Sequence, residues 1–156
     1  MTKATHEPTI ENRKARFDFE IGETFECGMV LRGSEVKSIR AGQASLAEGF
    51  VMARAEPPTL ELHSTHIAEF PPAGRDRQHV PTRQRRLLAH ANEIRKMALA
   101  MKAKGCSLVP LKVYFKNGVA KVLVGVATGR KKGDKRQAIR ERETKRDIDR
   151  EMGKNR

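Results

Sequence analysis

From Phe17 to Ile21 the chain alternates: Phe17, Phe19 and Ile21 are apolar, while Asp18 and Glu20 are charged. A period of two predicts a half-buried strand. Gly22 interrupts it, and residues 24–31 (TFECGMVL) resume it with Phe25, Cys27, Met29 and Leu31 on one face and Glu26 on the other. Residues 34–40 (SEVKSIR), 49–54 (GFVMAR) and 59–64 (TLELHS) are further strand candidates, punctuated by Gly33, Ala41-Gly42 and Pro57-Pro58. Short β-rich runs set off by Gly and Pro predict a sandwich or a barrel.

The period changes once. Ile94, Met97, Ala98 and Met101 recur at helical spacing, and Gly105 follows where a left-handed C-terminal residue belongs, so a helix is predicted from about Ala91 to Lys104. Leu87 and Leu88 either open this helix or precede it. Residues 107–127 (SLVPLKVYFKNGVAKVLVGVA) are two β-rich runs around Asn117-Gly118, the dipeptide that a type I′ hairpin turn favours. After Ala127 the alternation stops, and Ala138, Ile139, Ile148 and Met152 are too few to offset the entropy of ordering the tail alone. The pattern predicts a mainly β fold: an antiparallel barrel crossed by one helix. A flexible stretch at 1–10 precedes the body at 11–128, and a tail follows at 129–156.

Composition narrows the partner. With 38% hydrophobic and 4% aromatic residues the core is modest, and a net charge of +13 attracts polyanions. Residues 129–156 carry twelve Lys/Arg against six Asp/Glu, nearly half the surplus. Were this tail helical, Arg142, Arg146 and Arg150 would form one ridge and Glu143, Asp147 and Glu151 the next. Each resulting ion pair adds about 0.2–0.5 kcal/mol to helicity, and short unpacked helices are marginal in water. The tail is therefore expected to be disordered when free and helical when bound to a polyanion. Further basic sites are NRKAR at 12–16, Lys37 with Arg40, and TRQRR at 82–86 just ahead of the helix. Aromatic stacking platforms are sparse, which favours recognition of folded RNA by shape and backbone over reading of exposed bases. A membrane partner is not expected, because the tail lacks the Trp, Phe or Leu belt of interfacial helices and no apolar run nears the length of a span. The N-terminus lacks the apolar core of a signal peptide, and a cytoplasmic location follows.

Catalytic motifs are missing. The sequence has no GxxxxGK[ST], GxSxG, HExxH or paired CxxC. His63 and His66 are spaced as a pair without a further ligand, and His6, His79 and His90 read as satisfied surface histidines. Ser34-Glu35 shows no partnership that would poise a general base. Cys27 and Cys106 make neither a disulfide framework nor a metal set. No enzyme, cofactor or metal is expected.

Six ordered blocks then resemble one family: N-R-K-A-R (12–16), F-E-C-G (25–28), G-S-E-V-K-S-I-R-A-G (33–42), P-T-R-Q-R-R-L-L (81–88), Y-F-K-N-G (114–118) and G-R-K-K-G-D-K-R (129–136). In order and spacing they resemble the small protein B, or SsrA-binding, family of bacteria. The resemblance implies an OB-like barrel, acting as a monomer, that binds the tRNA-like domain of transfer-messenger RNA. It also implies delivery to the A site of 70S ribosomes stalled on truncated messages (trans-translation), with the tail in the decoding centre and the empty mRNA channel of the small subunit. Carried over, the RNA-binding residues are Asn12, Arg13, Lys14, Glu26 and Leu88, with Lys37 and Arg40 added for their charge. The ribosome-engaging residues are Gly129 as a hinge, Lys131, Lys132, Asp134, Lys135 and Arg136, with Arg142, Arg146 and Arg150 along the helical ridge. Gly133 stands where the family usually has an aromatic residue or His, and Phe17 and Phe19 where His and Tyr are common. An RNA-binding domain of the ribosomal-protein type and a barrel nuclease are the rival readings.

Overall fold

The computed structural model describes residues 7–129 and 132–154. Along the chain run β1 (Ile10–Glu11), α1 (Arg13–Asp18), β2 (Phe19–Met29), α2 (Gly33–Arg40), β3 (Ala44–Ser45), β4 (Phe50–Arg54), β5 (Thr59–His63), β6 (His66–Ile67), β7 (Arg85–Leu88), α3 (Ala91–Met101), β8 (Cys106–Lys116), β9 (Val119–Gly129) and α4 (Lys132–Lys154). Two short 3₁₀ turns, Pro71–Ala73 and Arg75–Arg77, lie between β6 and β7. Neighbours in the order β8-β4-β5-β7-β2-β9 pair antiparallel, and β9 pairs back with β8, so the sheet closes into a barrel. β1 lies against β8, and β3 with β6 forms a separate ribbon. The fold is thus mainly β, a closed OB-like barrel with a flanking helix and a C-terminal helix.

The long strands serve two apolar layers because they are bulged. In β2 the register passes from Ile21↔Ala127 to Thr24↔Gly125, and in β8 it passes from Pro110↔Val124 to Lys112↔Leu123. Each strand thereby contains one extra residue, which exchanges the two faces beyond it. Phe25, Cys27 and Met29 face the barrel interior with Leu108, Val113, Val122 and Val124, whereas Ile21 and Leu111 belong to a second cluster with Ala15, Val109 and Ala127 beneath α1. Gly125 lies opposite both bulges. A Cβ there would stand 2.8 Å from Leu111 Cδ1 and 3.0 Å from Ile21 Cγ2, so this close strand crossing needs glycine.

The hairpin and the main helix form as expected. Asn117 and Gly118 both take positive φ, 52° and 76°, as a type I′ turn requires. α3 starts at Ala91 and buries Ile94, Met97 and Ala98 against the barrel. It ends at Met101, three residues before the expected limit, and Gly105 takes φ 80° in the turn that follows.

Several expectations are corrected. Residues 34–40 are helical, not a strand: α2 buries Ser34, Glu35, Ser38 and Ile39, a mostly polar face. Gly22 sits in a bulge of one continuous strand, not at its end, and Phe17 belongs to α1 instead of that strand. Leu87 and Leu88 lie in β7, so the arginines of 82–86 do not cap α3, whose N-cap is His90. Of the N-terminal stretch expected to be flexible, Ile10 pairs with Val113 in the sheet, and residues 1–6 lie outside the described ones. At the other end Gly129 is the last residue of β9, paired with Phe19, so the body extends one residue further than expected. Residues 132–154 of the tail, expected to be disordered when free, form the helix α4 with no partner present, and Arg142 lies 5.6 Å from the centroid of the Phe17 ring on α1.

Candidate nucleic-acid interface

Glu26 alternates outward from the buried Phe25 and Cys27, as its place in β2 requires. Across β9, β8 brings the Tyr114 hydroxyl to one carboxylate oxygen and Lys116 Nζ to the other at 3.4 Å. The Tyr114 hydrogen bond is the main cause that holds Glu26 below its ordinary carboxylate range, with Lys116 adding to it against the opposing effect of burial. Burial, and then the bond to Glu26, pushes the Tyr114 phenol up to about 12. The result is an exposed, ionised carboxylate held in one orientation. Its free lone pairs can accept from a base N–H or a ribose 2′-OH.

A groove of about 580 Å³ runs from this carboxylate, lined by Glu26, Gly28, Leu88, His90 and Lys121. Gly28 pairs with Leu88 across β2 and β7, and Leu88 is 53% exposed, an apolar step beside the charged groups. The sequence-expected Glu26 and Leu88, distant along the chain, therefore meet in one surface. Tyr114, Lys116 and Lys121 were missed. Their signal was the hairpin itself, which places Tyr114 opposite Lys121, two strands from Gly28.

The other expected residues lie in separate places. Asn12 is buried: its side-chain amide donates to the Leu46 carbonyl at 3.0 Å and the Pro110 carbonyl at 2.8 Å, and its oxygen accepts the Ala15 N–H at 3.1 Å, capping α1. Asn12 thus sets the position of α1, whose exposed face carries Arg13 and Lys14. Lys14 pairs with Glu48 at 3.0 Å. On α2, Lys37 lies over the Phe70 ring and Arg40 over the Phe115 ring, each 5.4 Å from the centroid, and Arg40 approaches Glu7 at 3.7 Å.

The basic run at 82–86 is mostly structural. Glu35, fully buried, accepts from the Arg32 N–H at 2.9 Å, from Arg83 at 2.6 Å and from the buried Arg85. Arg85 also donates to the carbonyls of Thr65 at 2.7 Å and Pro81 at 3.0 Å. Burial raises the Glu35 pKa, but these donors together outweigh it and hold the carboxyl below its ordinary range. Glu35 was expected to have no partnership that would poise it as a general base, and its partners indeed lower its pKa, away from neutrality, whereas His79 was expected at the surface. In fact His79 is buried and bonded to Ser34 and Ile67. His63 stacks on Phe50 with centroids 5.1 Å apart, and no metal-binding group of three or more His, Cys, Asp or Glu exists among the described residues.

In the tail, Arg136, Arg142, Arg146 and Arg150 are exposed along α4. Lys131 lies outside the described residues, as do the side chains of Lys132, Asp134 and Lys135. No described helix is long and apolar enough to cross a membrane.

Fold and surface define a class: a small OB-like barrel with a polar surface groove and a basic C-terminal helix. Comparison with known proteins narrows it. The family model described as SmpB protein matches residues 9–154. An SsrA-binding protein of Thermosynechococcus vestitus is 49% identical over 142 residues, 91% of this chain and 92% of its own. One from Halalkalibacterium halodurans is 47% identical over 142 residues, 91% of this chain and 90% of its own. A solved structure described as "tmRNA-SmpB: a journey to the center of the bacterial ribosome" contains a chain 42% identical, with a TM-score of 0.67, covering 85% of this chain and 95% of that one. The chain belongs to the SmpB family.

Proposed function

We propose that this chain is an RNA-binding adaptor of trans-translation. The barrel grips the tRNA-like domain of transfer-messenger RNA and carries it into the A site of a stalled ribosome in the cytoplasm. The tail then occupies the decoding centre and the empty mRNA channel. Peptide transfer belongs to the ribosome, so this chain supplies binding and placement, one copy to one RNA. The observation that carries the reading is the groove that unites Glu26 and Leu88 with Lys121, in a chain whose relatives are SsrA-binding proteins over nearly their whole length.

In this reading Glu26 accepts from the RNA while Lys116 and Lys121 neutralise its phosphates, and Arg13, Lys14, Lys37 and Arg40 extend the cationic surface. Asn12 acts by positioning α1. Gly129, Lys131, Lys132, Asp134, Lys135 and Arg136 engage the ribosome, followed by the Arg142, Arg146 and Arg150 ridge. Gly133, in place of an aromatic residue or His, removes a stacking group at that position. Phe17 and Phe19 keep packing without the hydrogen bonds that His and Tyr would add.

A gel-shift titration against the tRNA-like domain, with an unrelated stem-loop as control, tests this. The chain should prefer the tRNA-like domain, and Glu26→Ala should weaken that binding by about tenfold or more, the value of a hydrogen bond to a charged group. Equal binding of both RNAs would favour a general RNA-binding domain instead.

A further inference from the structure

Between α2 and the two 3₁₀ turns lies a concavity of about 450 Å³ outside the groove described above. Lys37 of α2 and Arg77 of the second turn stand on its rim, and Phe70 with Pro72 makes its apolar wall. These walls are preformed. The Gln78 side chain closes the loop from Phe70 by accepting the Phe70 N–H at 2.8 Å and donating to the Phe70 carbonyl at 2.9 Å. Behind it His79 Nε2 lies 2.9 Å from the Ile67 carbonyl, which only accepts, so Nε2 carries the proton. In the neutral ring Nδ1 then accepts from the buried Ser34 hydroxyl at 2.8 Å, tying α2 to β6.

A rigid aromatic and proline wall facing two cations matches one nucleotide unit: a flat base against the ring, and a phosphate between ammonium and guanidinium. Lys37 Nζ sits 5.4 Å from the Phe70 centroid. An exposed cation–π contact is weaker than a charge-assisted bond to phosphate, so a phosphate draws Lys37 off the ring and frees that face for a base. We propose that this concavity holds one unpaired nucleotide, with its base on Phe70 and its phosphate between Lys37 and Arg77. An RNA source rests on the adaptor reading above, and a free mononucleotide carries the same chemistry.

Gly33 lines the concavity, and a Cβ there would meet nothing within 4 Å, so Gly33→Leu adds bulk at the site without a clash. The isotope-labelled full chain is titrated with AMP and with inorganic phosphate, while gel shifts follow the tRNA-like domain. AMP should shift the backbone amides of Phe70, Ala73 and Gly74 well beyond the shifts that phosphate alone gives, and Gly33→Leu should abolish that additional AMP response. Gly33→Leu and Phe70→Ala should each weaken RNA binding about tenfold, the value of one stacked base. No AMP response beyond that of phosphate in the unaltered chain, or an undiminished one in Gly33→Leu, overturns the site. An AMP response with unchanged RNA affinity in Gly33→Leu overturns the RNA source and leaves a free nucleotide. Failure of the unaltered chain to prefer the tRNA-like domain overturns the adaptor reading, and the AMP titration still decides the concavity.

Discussion

At the residue scale the chemistry concentrates on Glu26. On a surface proposed to bind RNA, a carboxylate repels phosphate unless it is aimed at a donor, and Tyr114 with Lys116 provides the aim. Each partner records the bond in its titration. The Tyr114 phenol should ionise at about 12, and in Glu26→Gln its midpoint should fall part of the way toward the ordinary 10, burial keeping the rest of the shift, as read by ultraviolet difference titration. Conversely, Tyr114→Phe should raise the Glu26 midpoint toward 4.5, read from its side-chain carboxyl resonance. Unchanged midpoints in both variants would mean that the pair does not form in solution. Cys27, beside Glu26 in β2, is buried, and its thiol is pushed up to about 12, mainly by that burial, so it behaves as a core residue.

At the element scale, the parts that formed as expected are those whose local sequence decides their geometry. Asn117-Gly118 alone dictates a type I′ turn, and the spacing of Ile94, Met97 and Ala98 exposes one helical face. α2 was read as a strand because its buried face is Ser34, Glu35, Ser38 and Ile39, which carries little hydrophobic signal. A trace of the helix was nonetheless present: Glu35 stands three residues after Arg32 and reaches back to its N–H, as a capping carboxylate does. The fate of Arg83 and Arg85 was not legible, since their partner lies about fifty positions earlier and a run of arginines looks the same whether it meets RNA or a buried acid. The groove was half legible, with Glu26 and Leu88 found by resemblance and Lys121 only by strand pairing. The Glu35 network fastens α2, which carries Lys37 and Arg40, to β7, which carries Leu88. Glu35→Ala should cost about 3–5 kcal/mol by leaving Arg85 buried without its acid, read as a lower urea midpoint at constant slope. Because the folded carboxyl sits below its ordinary 4.5, its contribution is present above that pH and is lost as pH falls through the folded value. Glu35→Ala should accordingly lose less stability than the unaltered chain on acidification. A loss under about 1 kcal/mol at neutral pH would place the network among ordinary surface pairs.

At the scale of the whole molecule, the proposed function divides the work between two parts. The closed barrel fixes a groove and a cationic surface in place, while α4 approaches the body at α1, where Arg142 meets Phe17, and leaves Ile148 and Met152 exposed. A helix of 23 residues with so little cover is marginal by itself, and a channel walled by RNA would supply the cover that the body does not. Gly129 is paired within β9, so a chain ending there keeps the barrel whole, whereas a stop at Ala127 would remove two paired residues. The most direct measurement compares the full chain with one ending at Gly129, in binding to the tRNA-like domain and in tagging of nascent chains on stalled ribosomes. RNA affinity should stay within about threefold, because the groove is intact and only distant charges are screened away, while tagging should be abolished. Loss of both in equal measure would contradict the division between a barrel that holds the RNA and a tail that works on the ribosome.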